Sequence, residues 1–148
     1  MSMVRFKQVT SEIATGTSLK TLAQIVAASN HAVAIRRIDV SFQGTSNTDS
    51  PILVEIKRQT TAGTASSKNP VKNADDTDET LHTTGQEDAT AEPTAGDILE
   101  RQYVHPQQGL TIQYPFDDPL KIGGGDRLGV AVNAGTSVNA VVTIHGEE

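Results

Sequence analysis

The acidic residues in the middle of the chain come nearest to a metal-binding pattern. Asp76, Asp78, Thr80 and Glu87 occupy positions 1, 3, 5 and 12 of a calcium-binding loop. Position 6 is Leu81, where the sharp turn of such a loop needs glycine, and neither flank has the periodicity of a helix. The sequence therefore favours a solvated acidic loop, and we expect no metal site here.

The residues that usually carry catalysis are scattered. The histidines stand at positions 31, 82, 105 and 145, too far apart in the sequence to form a metal-ligand pair by local spacing. No Gly-x-Ser-x-Gly motif occurs, and the carboxylates are concentrated in polar sequence rather than in buried pairs. The chain has no cysteine, which excludes disulfides and thiolate zinc sites. We therefore expect neither an enzyme nor a cofactor.

The adjacent cations Arg36 and Arg37 are the first candidate interaction residues. Together with Arg5, Lys7, Lys57 and Arg58 they would form a basic strip if the first strands of the chain pair with one another. The competing interpretation is ordinary charge on an edge strand, which discourages aggregation. The net charge of −6 argues against nucleic acid as the partner, because phosphate binding requires a concentrated basic surface.

The elements that must position these residues are strands. In the C-terminal third, apolar residues fall on every second position, which places them on one face of a sheet. The three runs are Leu110, Ile112, Tyr114 and Phe116, then Leu128, Val130 and Val132, then Val138, Ala140, Val142 and Ile144. The triglycine turn at residues 123–126 is interpreted as a hairpin turn, because no phosphate-binding helix pattern follows it.

Further strands are indicated upstream. Residues 32–43 alternate in two phases, and the phase changes at Arg36-Arg37, which predicts a β-bulge that turns both guanidinium groups outward. A strand that begins after Pro51 is expected to expose Glu55 and Lys57 to solvent. Residues 18–29 fit either a helix or a strand, and the β-rich remainder of the chain favours a strand.

Length and composition indicate one all-β domain. With 148 residues, we expect an N-terminal arm or short strand over residues 1–17 and a single antiparallel β-sandwich over residues 18–148. The expected architecture is jelly-roll-like, with about eight strands in two sheets. Because aromatic residues make up only 3% of the chain, the core must be mainly aliphatic.

Residues 61–97 are predicted to be one long polar loop. Val71 and Leu81 are the only sizeable apolar residues in it, which is too little to order the segment on its own domain. We expect the loop to pack against a neighbouring subunit or against the surface to which the protein binds, with Val71 and Leu81 as anchors. The acidic residues Asp76 and Asp78 would face solvent or meet Arg36 and Arg37 of the neighbour.

No targeting segment is visible at the start of the chain. The apolar stretch Leu19 to Ala28 is interrupted by Lys20, Thr21 and Gln24, and is too short and too polar for a signal peptide or a membrane span. We therefore expect synthesis and folding in a cytoplasm, and no membrane partner.

Several short phrases resemble a family of small virion proteins that are encoded among the head genes of tailed bacteriophages. The likeness runs from about Leu19 onward, while the N-terminal arm and residues 75–79 match less well. The phrases are Ser41-Phe42-Gln43-Gly44-Thr45, Arg58-Gln59-Thr60-Thr61-Ala62-Gly63-Thr64, Thr90-Ala91-Glu92-Pro93-Thr94-Ala95-Gly96-Asp97, Val104-His105-Pro106-Gln107-Gln108-Gly109 and Gly124-Gly125-Asp126-Arg127-Leu128-Gly129.

The resemblance implies a capsid decoration or cement protein on the outer surface of a phage head, located in the virion after synthesis in the host cytoplasm. Its partner would be the major capsid protein, and it would form a homo-oligomer, with a trimer as the expected state. The alternative is a carbohydrate- or receptor-binding β-module of a phage fibre. Sugar binding usually needs exposed aromatic rings, and most of the few aromatic residues here lie on rows assigned to the core.

Overall fold

The structure is a computed structural model that describes residues 4–43, 50–74 and 78–148. Over these residues the secondary structure is all-β, with thirteen strands instead of the eight expected. In chain order they are β1 (Arg5–Val9), β2 (Ile13–Ala14), β3 (Lys20–Val26), β4 (Val33–Gln43), β5 (Ile52–Gln59), β6 (Thr64–Ser67), β7 (Val71–Lys72), β8 (Thr84–Ala91), β9 (Ala95–Val104), β10 (Leu110–Gln113), β11 (Leu120–Ile122), β12 (Arg127–Asn133) and β13 (Asn139–Glu147).

The strands form two antiparallel sheets that pack face to face. The first sheet has the order β10-β4-β13-β1-β7, with β11 added to β4 and β2 added to β13. The second sheet has the order β6-β8-β3-β12-β5-β9. This confirms the predicted antiparallel β-sandwich, whereas the jelly-roll-like connectivity stays a prediction.

The core between the sheets is aliphatic, as the composition predicts. Every residue of the β12 and β13 alternations is buried, and Phe6 is the one aromatic side chain that the described residues bury completely. Phe6 belongs to β1, which lies between β13 and β7, so the expected N-terminal arm or short strand contains a strand of the first sheet. The ambiguous residues 18–29 contain β3, which confirms the strand interpretation.

The predicted bulge in β4 is confirmed by the register of its pairing with β13. Arg37 pairs with His145 and Ile35 pairs with Gly146, so that Arg36 is the extra residue. Ile35 and Ile38 are both fully buried on the two sides of this break. The extra residue lets the strand change phase and still bury its apolar side chains on one face.

The prediction of a long loop over residues 61–97 is wrong. This segment contains β6, β7, β8 and the start of β9, and β8 pairs with β3 in the second sheet. Leu81, expected to contact a neighbour, is partly buried against the core of its own domain. The hydrophobic pattern missed these strands because backbone pairing and polar side-chain bonds, rather than apolar burial, hold them in place.

The expectation that Glu55 and Lys57 face solvent is also wrong, since they are only 5% and 3% exposed. Their side chains form an ion pair with 3.8 Å between Nζ and Oε2. They belong to a buried polar layer on the face of the second sheet that points away from the core, together with Thr21, Gln24 and Gln59.

Residues of the 61–97 segment bond to this polar layer. The Glu92 carboxylate accepts hydrogen bonds of 2.6 Å from both the backbone N–H and the hydroxyl of Thr21. The side-chain amide of Gln24 donates to the carbonyl oxygen of Thr61 at 3.1 Å. The central strands of the second sheet are therefore buried on both faces.

The triglycine turn is not a hairpin turn, because β11 lies in the first sheet and β12 lies in the second. It carries the chain from one sheet to the other. The reversal is closed by the Asp126 N–H, which donates to the Gly123 carbonyl oxygen at 3.0 Å, and it uses a positive φ of 82° at Gly125.

No helix in the described part of the chain has the length and the apolar character needed to cross a lipid bilayer.

Candidate functional site

An open cleft of about 330 Å³ lies at one end of the first sheet, where β1, β4 and β13 run side by side. The bulge in β4 places Arg36 and Arg37 at this cleft, and β1 contributes Arg5. The main side chains that line it are those of Arg5, Arg36, Arg37, Phe116, His145 and Glu147.

Arg36 is fixed in the cleft by three contacts. Its guanidinium group pairs with the carboxylate of Glu147, a side chain that is only 2% exposed. Its Nη1 donates a hydrogen bond of 2.7 Å to the carbonyl oxygen of Phe116. The guanidinium carbon also lies 4.8 Å from the centroid of the Phe116 ring, within the range of a cation–π interaction. Arg36 therefore neutralises a buried acid and orients an aromatic ring.

Arg5 and Arg37 are more exposed and less constrained. The Arg5 side chain is 67% exposed, and its Nε lies 3.6 Å from Glu147, which is an ion pair but not a hydrogen bond. The Arg37 Nε donates to Asp39 at 3.0 Å. Toward the residues that the structure describes, the terminal nitrogens of these two guanidinium groups make no hydrogen bond, so their donors remain available to a ligand.

The titratable groups beside the cleft are shifted by burial and by one another. Burial and the positive charges of Lys7 and Arg37 lower the pKa of His145, against the opposing charge of Asp39. The pKa of Asp39 is lowered, because hydrogen bonds from Thr111 and Arg37 and nearby positive charges outweigh the effect of burial. Near neutral pH, His145 is therefore uncharged and Asp39 is ionised.

Tyr114 also lines the cleft. Burial, together with the charge of Glu100, raises the pKa of Tyr114 to about 12. Its phenol therefore stays protonated at physiological pH and presents a hydroxyl group rather than a negative charge.

Phe116 is placed differently from the sequence prediction. The alternation from Leu110 assigned it to the core, but it is 81% exposed. Leu110, Ile112 and Tyr114 of the same run do pack against the core. The strand ends at Gln113, and the following Pro115 lacks the N–H that a continuing strand would need.

The other predicted interaction residues do not gather at one place. Val71 lies on the edge strand β7, 64% exposed, opposite Lys7 of β1. Asp78 is exposed and Asp76 lies outside the described residues. Of the proposed basic strip, Arg5, Lys7, Arg36 and Arg37 belong to the first sheet, whereas Lys57 and Arg58 belong to the second.

Two of the scattered histidines meet in the structure, which their spacing in the sequence did not indicate. The rings of His31 and His82 stack with centroids 4.3 Å apart. The carboxylate of Glu148 accepts a hydrogen bond of 2.7 Å from the backbone N–H of His82. Among the described residues no group of three or more potential ligands is arranged to hold a metal ion.

Glu87, the last residue of the calcium-loop pattern, has a structural role on β8. The Glu87 carboxylate accepts hydrogen bonds from the backbone N–H and the hydroxyl of Ser11, at 2.7 and 3.0 Å. Glu87 thus ties β8 to the turn between β1 and β2.

Sequence reasoning missed Glu147 and Phe116 as members of the cleft. The placement of Pro115 and Pro119 on either side of Phe116 was a usable sign that the strand ends before this ring. Glu147 carried no such sign, because its burial depends on the register of β13 against both β1 and β4.

A comparison of the chain with protein-family models, with curated proteins and with solved structures finds no match.

Proposed function

We propose that this chain is a structural, non-enzymatic virion protein, a decoration or cement protein that binds the major capsid protein on the outer surface of a phage head and stabilises the shell. The observation that carries the proposal is the cleft on the first sheet, where exposed arginines and an exposed phenyl ring are held on a two-sheet scaffold. The resemblance of the sequence phrases to phage head proteins is the reason for naming a phage head as the particle to which the chain binds.

A shell-binding protein needs a stiff scaffold and an accessible surface, and both requirements are compatible with this fold. Antiparallel sheets around an aliphatic core resist local opening. Val71 and Val9, which are 64% and 47% exposed, lie on the first sheet near its β7 edge and add exposed apolar area to that sheet. Exposed apolar side chains grouped with charges are typical of protein interaction surfaces.

We propose further that the protein acts as a homotrimer. A trimer on three-fold positions of a shell would present identical surfaces to equivalent capsid sites. Simultaneous engagement of three sites lets weak individual contacts give firm attachment. Size-exclusion chromatography with light scattering measures the state of the free protein, and a trimer is the expected result.

Electron cryomicroscopy of the parent particle tests the assignment. We expect density for this chain on the outside of the head, in contact with the major capsid protein. Heads that lack the protein should release their DNA at a lower temperature than decorated heads. Location of the chain at the tail tip would refute the proposal.

One observation favours a second candidate, a carbohydrate- or receptor-binding module of a fibre. Two aromatic rings, Tyr103 and Phe116, are 75% and 81% exposed, and sugar-binding sites commonly use such rings. A glycan array tests this alternative, which predicts saturable binding that is lost when either ring is replaced by alanine.

A further inference from the structure

We infer that the cleft binds an acidic peptide segment of a partner protein, with its carboxylates between Arg5 and Arg37 and an adjacent apolar side chain against the ring of Phe116. The inference rests on the proposed function only in taking the major capsid protein as the source of that segment.

The cleft carries more positive than negative charge. Three guanidinium groups, those of Arg5, Arg36 and Arg37, face one buried carboxylate, that of Glu147. Asp39 beside Arg37 and Glu100 near Tyr114 add two more negative charges, and with Lys7 on β1 one positive charge remains in excess. A local excess of positive charge on a chain of net charge −6 marks this surface for an anionic partner.

The geometry of the donors favours carboxylates. A guanidinium group presents its N–H donors in a planar fork that matches the two oxygens of a carboxylate. The terminal nitrogens of Arg36 already contact Glu147 and the carbonyl oxygen of Phe116. The terminal nitrogens of Arg5 and Arg37 make no hydrogen bond to the described part of the chain and can donate to a ligand. The two exposed arginines can therefore each hold one carboxylate.

The exposed ring of Phe116 favours a ligand that also carries an apolar side chain. Its ring is 81% exposed although Arg36 holds it from one side, so that the other side faces solvent beside the arginines. A ligand that places an aliphatic or aromatic side chain there removes this area from water. A peptide of alternating acidic and apolar residues satisfies both halves of the cleft.

Nucleic acid fits the cleft less well than an acidic peptide. Binding to a phosphate backbone requires many cations along an extended track. Here the cationic side chains are concentrated over three neighbouring strands, and the protein as a whole is negatively charged. Repulsion between the negatively charged protein and a polyanion grows with the length of the polyanion, whereas a peptide with one or two carboxylates is repelled little.

The test uses the full-length protein and a capped pentapeptide of alternating glutamate and leucine. In a nitrogen-15 NMR titration, we expect saturable shifts of backbone amides that border the cleft, such as those of Gln113 and Gly146. The variants Arg5→Gln and Arg37→Gln should each weaken binding by about tenfold, as expected for the loss of a charge-assisted contact. Phe116→Ala should weaken binding to the same peptide.

Arg36→Gln is not a suitable variant, since it would leave the buried Glu147 with only the longer ion pair to Arg5. The matched control is Arg58→Gln, which removes the same charge from the second sheet and should leave the affinity unchanged. Equal weakening by Arg58→Gln, or equal binding of a peptide in which glutamine replaces glutamate, would overturn the inference. Inorganic phosphate that binds the cleft as tightly as the peptide would overturn it as well.

A second measurement separates this inference from the proposed function. Undecorated heads should bind the unaltered protein, and Arg5→Gln and Arg37→Gln should reduce that binding. If these variants bind heads normally and the peptide does not bind, the cleft inference fails while the capsid assignment stands. If heads do not bind the protein at all but the peptide binds, the capsid assignment fails and the acidic ligand remains.

Discussion

The side-chain amide of Gln59 on β5 lies directly over Gly129, the residue of β12 that pairs with Lys57. A β-carbon at position 129 would overlap the amide group of Gln59. From this place Gln59 accepts a hydrogen bond of 2.6 Å from Gln24 and donates one of 2.9 Å to Thr21. The glycine thus makes room for the centre of the buried polar layer.

Gly129→Ala should therefore destabilise the protein by about 2 kcal/mol, a typical effect of inserting a methyl group into a packed site. Part of the loss comes from displacing the Gln59 amide from its two partners. Urea denaturation measures the change in the free energy of unfolding. Gly135→Ala is the matched control, because nothing lies within 4 Å of its β-carbon position, and it should change stability little. Equal effects at both positions would contradict this account of Gly129.

Gln8 links the two sheets. It lies on β1 of the first sheet, fully buried, and its Nε2 reaches the carbonyl oxygens of Lys68 at 2.8 Å, Gln24 at 3.2 Å and Gln86 at 3.3 Å. Gln8→Met keeps the length of the side chain but removes the donors. We expect a loss of about 1–3 kcal/mol in the free energy of unfolding, because buried carbonyl groups lose a partner.

The exposed Gln107 provides the control for Gln8. Gln107→Met should leave the urea midpoint nearly unchanged, since the hydrogen bond of Gln107 to the His105 imidazole is made by its backbone N–H. A Gln8→Met protein as stable as the unaltered one would show that the amide does not hold the sheets together.

The parts of the fold that sequence reasoning predicted are those in which apolar side chains alternate with polar ones. The alternations of β12 and β13 and the phase change at Arg36-Arg37 each appear directly in the residue order. A period of two requires no knowledge of the partner strand, because one buried face is enough to produce it.

The parts that escaped prediction depend on partners distant in the sequence. β8 contains no large apolar residue, and its place is fixed by pairing with β3. Glu55 and Lys57 alternate as exposed residues should, yet they lie in the buried polar layer. In the cleft, Arg36 and Arg37 could be singled out by type, whereas the burial of Glu147 is set by the register of β13.

The lowered pKa of His145 predicts a pH-dependent stability. Below its ordinary pKa of 6.5, the unfolded chain binds a proton at this residue more readily than the folded chain does. The free energy of unfolding should therefore fall as the pH drops from about 7 toward 5. His145→Gln should remove this part of the dependence of the free energy of unfolding on pH between pH 7 and pH 5. Around pH 8, where the imidazole is uncharged in both the folded and the unfolded chain, the free energy of unfolding should depend much less on pH. Urea midpoints measured across this range provide the comparison.

A variant of Lys7 provides a second test of the His145 prediction. Its positive charge helps to lower the pKa of His145, so Lys7→Gln should raise that pKa and flatten the dependence of stability on pH. NMR titration of the imidazole protons measures the pKa directly. A value at or above 6.5 in the unaltered protein would contradict the prediction.

Glu148 should contribute to stability at neutral pH and lose that contribution in acid. Burial acts to raise its pKa, but hydrogen bonds from the Thr83 hydroxyl and from His82 outweigh it, and the net pKa lies below the ordinary value of 4.5. A carboxyl whose pKa is lower in the folded state stabilises the fold above its unfolded pKa, and this stabilisation disappears as the pH falls through its folded pKa. Glu148→Gln should therefore reduce the free energy of unfolding by about 1–2 kcal/mol at pH 7. The difference from the unaltered protein should shrink steadily below pH 4.5.

Asp117→Asn is the control, because it neutralises an exposed carboxylate, and its stability should show no such convergence with that of the unaltered protein. If the loss of stability in Glu148→Gln is constant from pH 7 to pH 3, the ionised carboxylate is not what stabilises this contact.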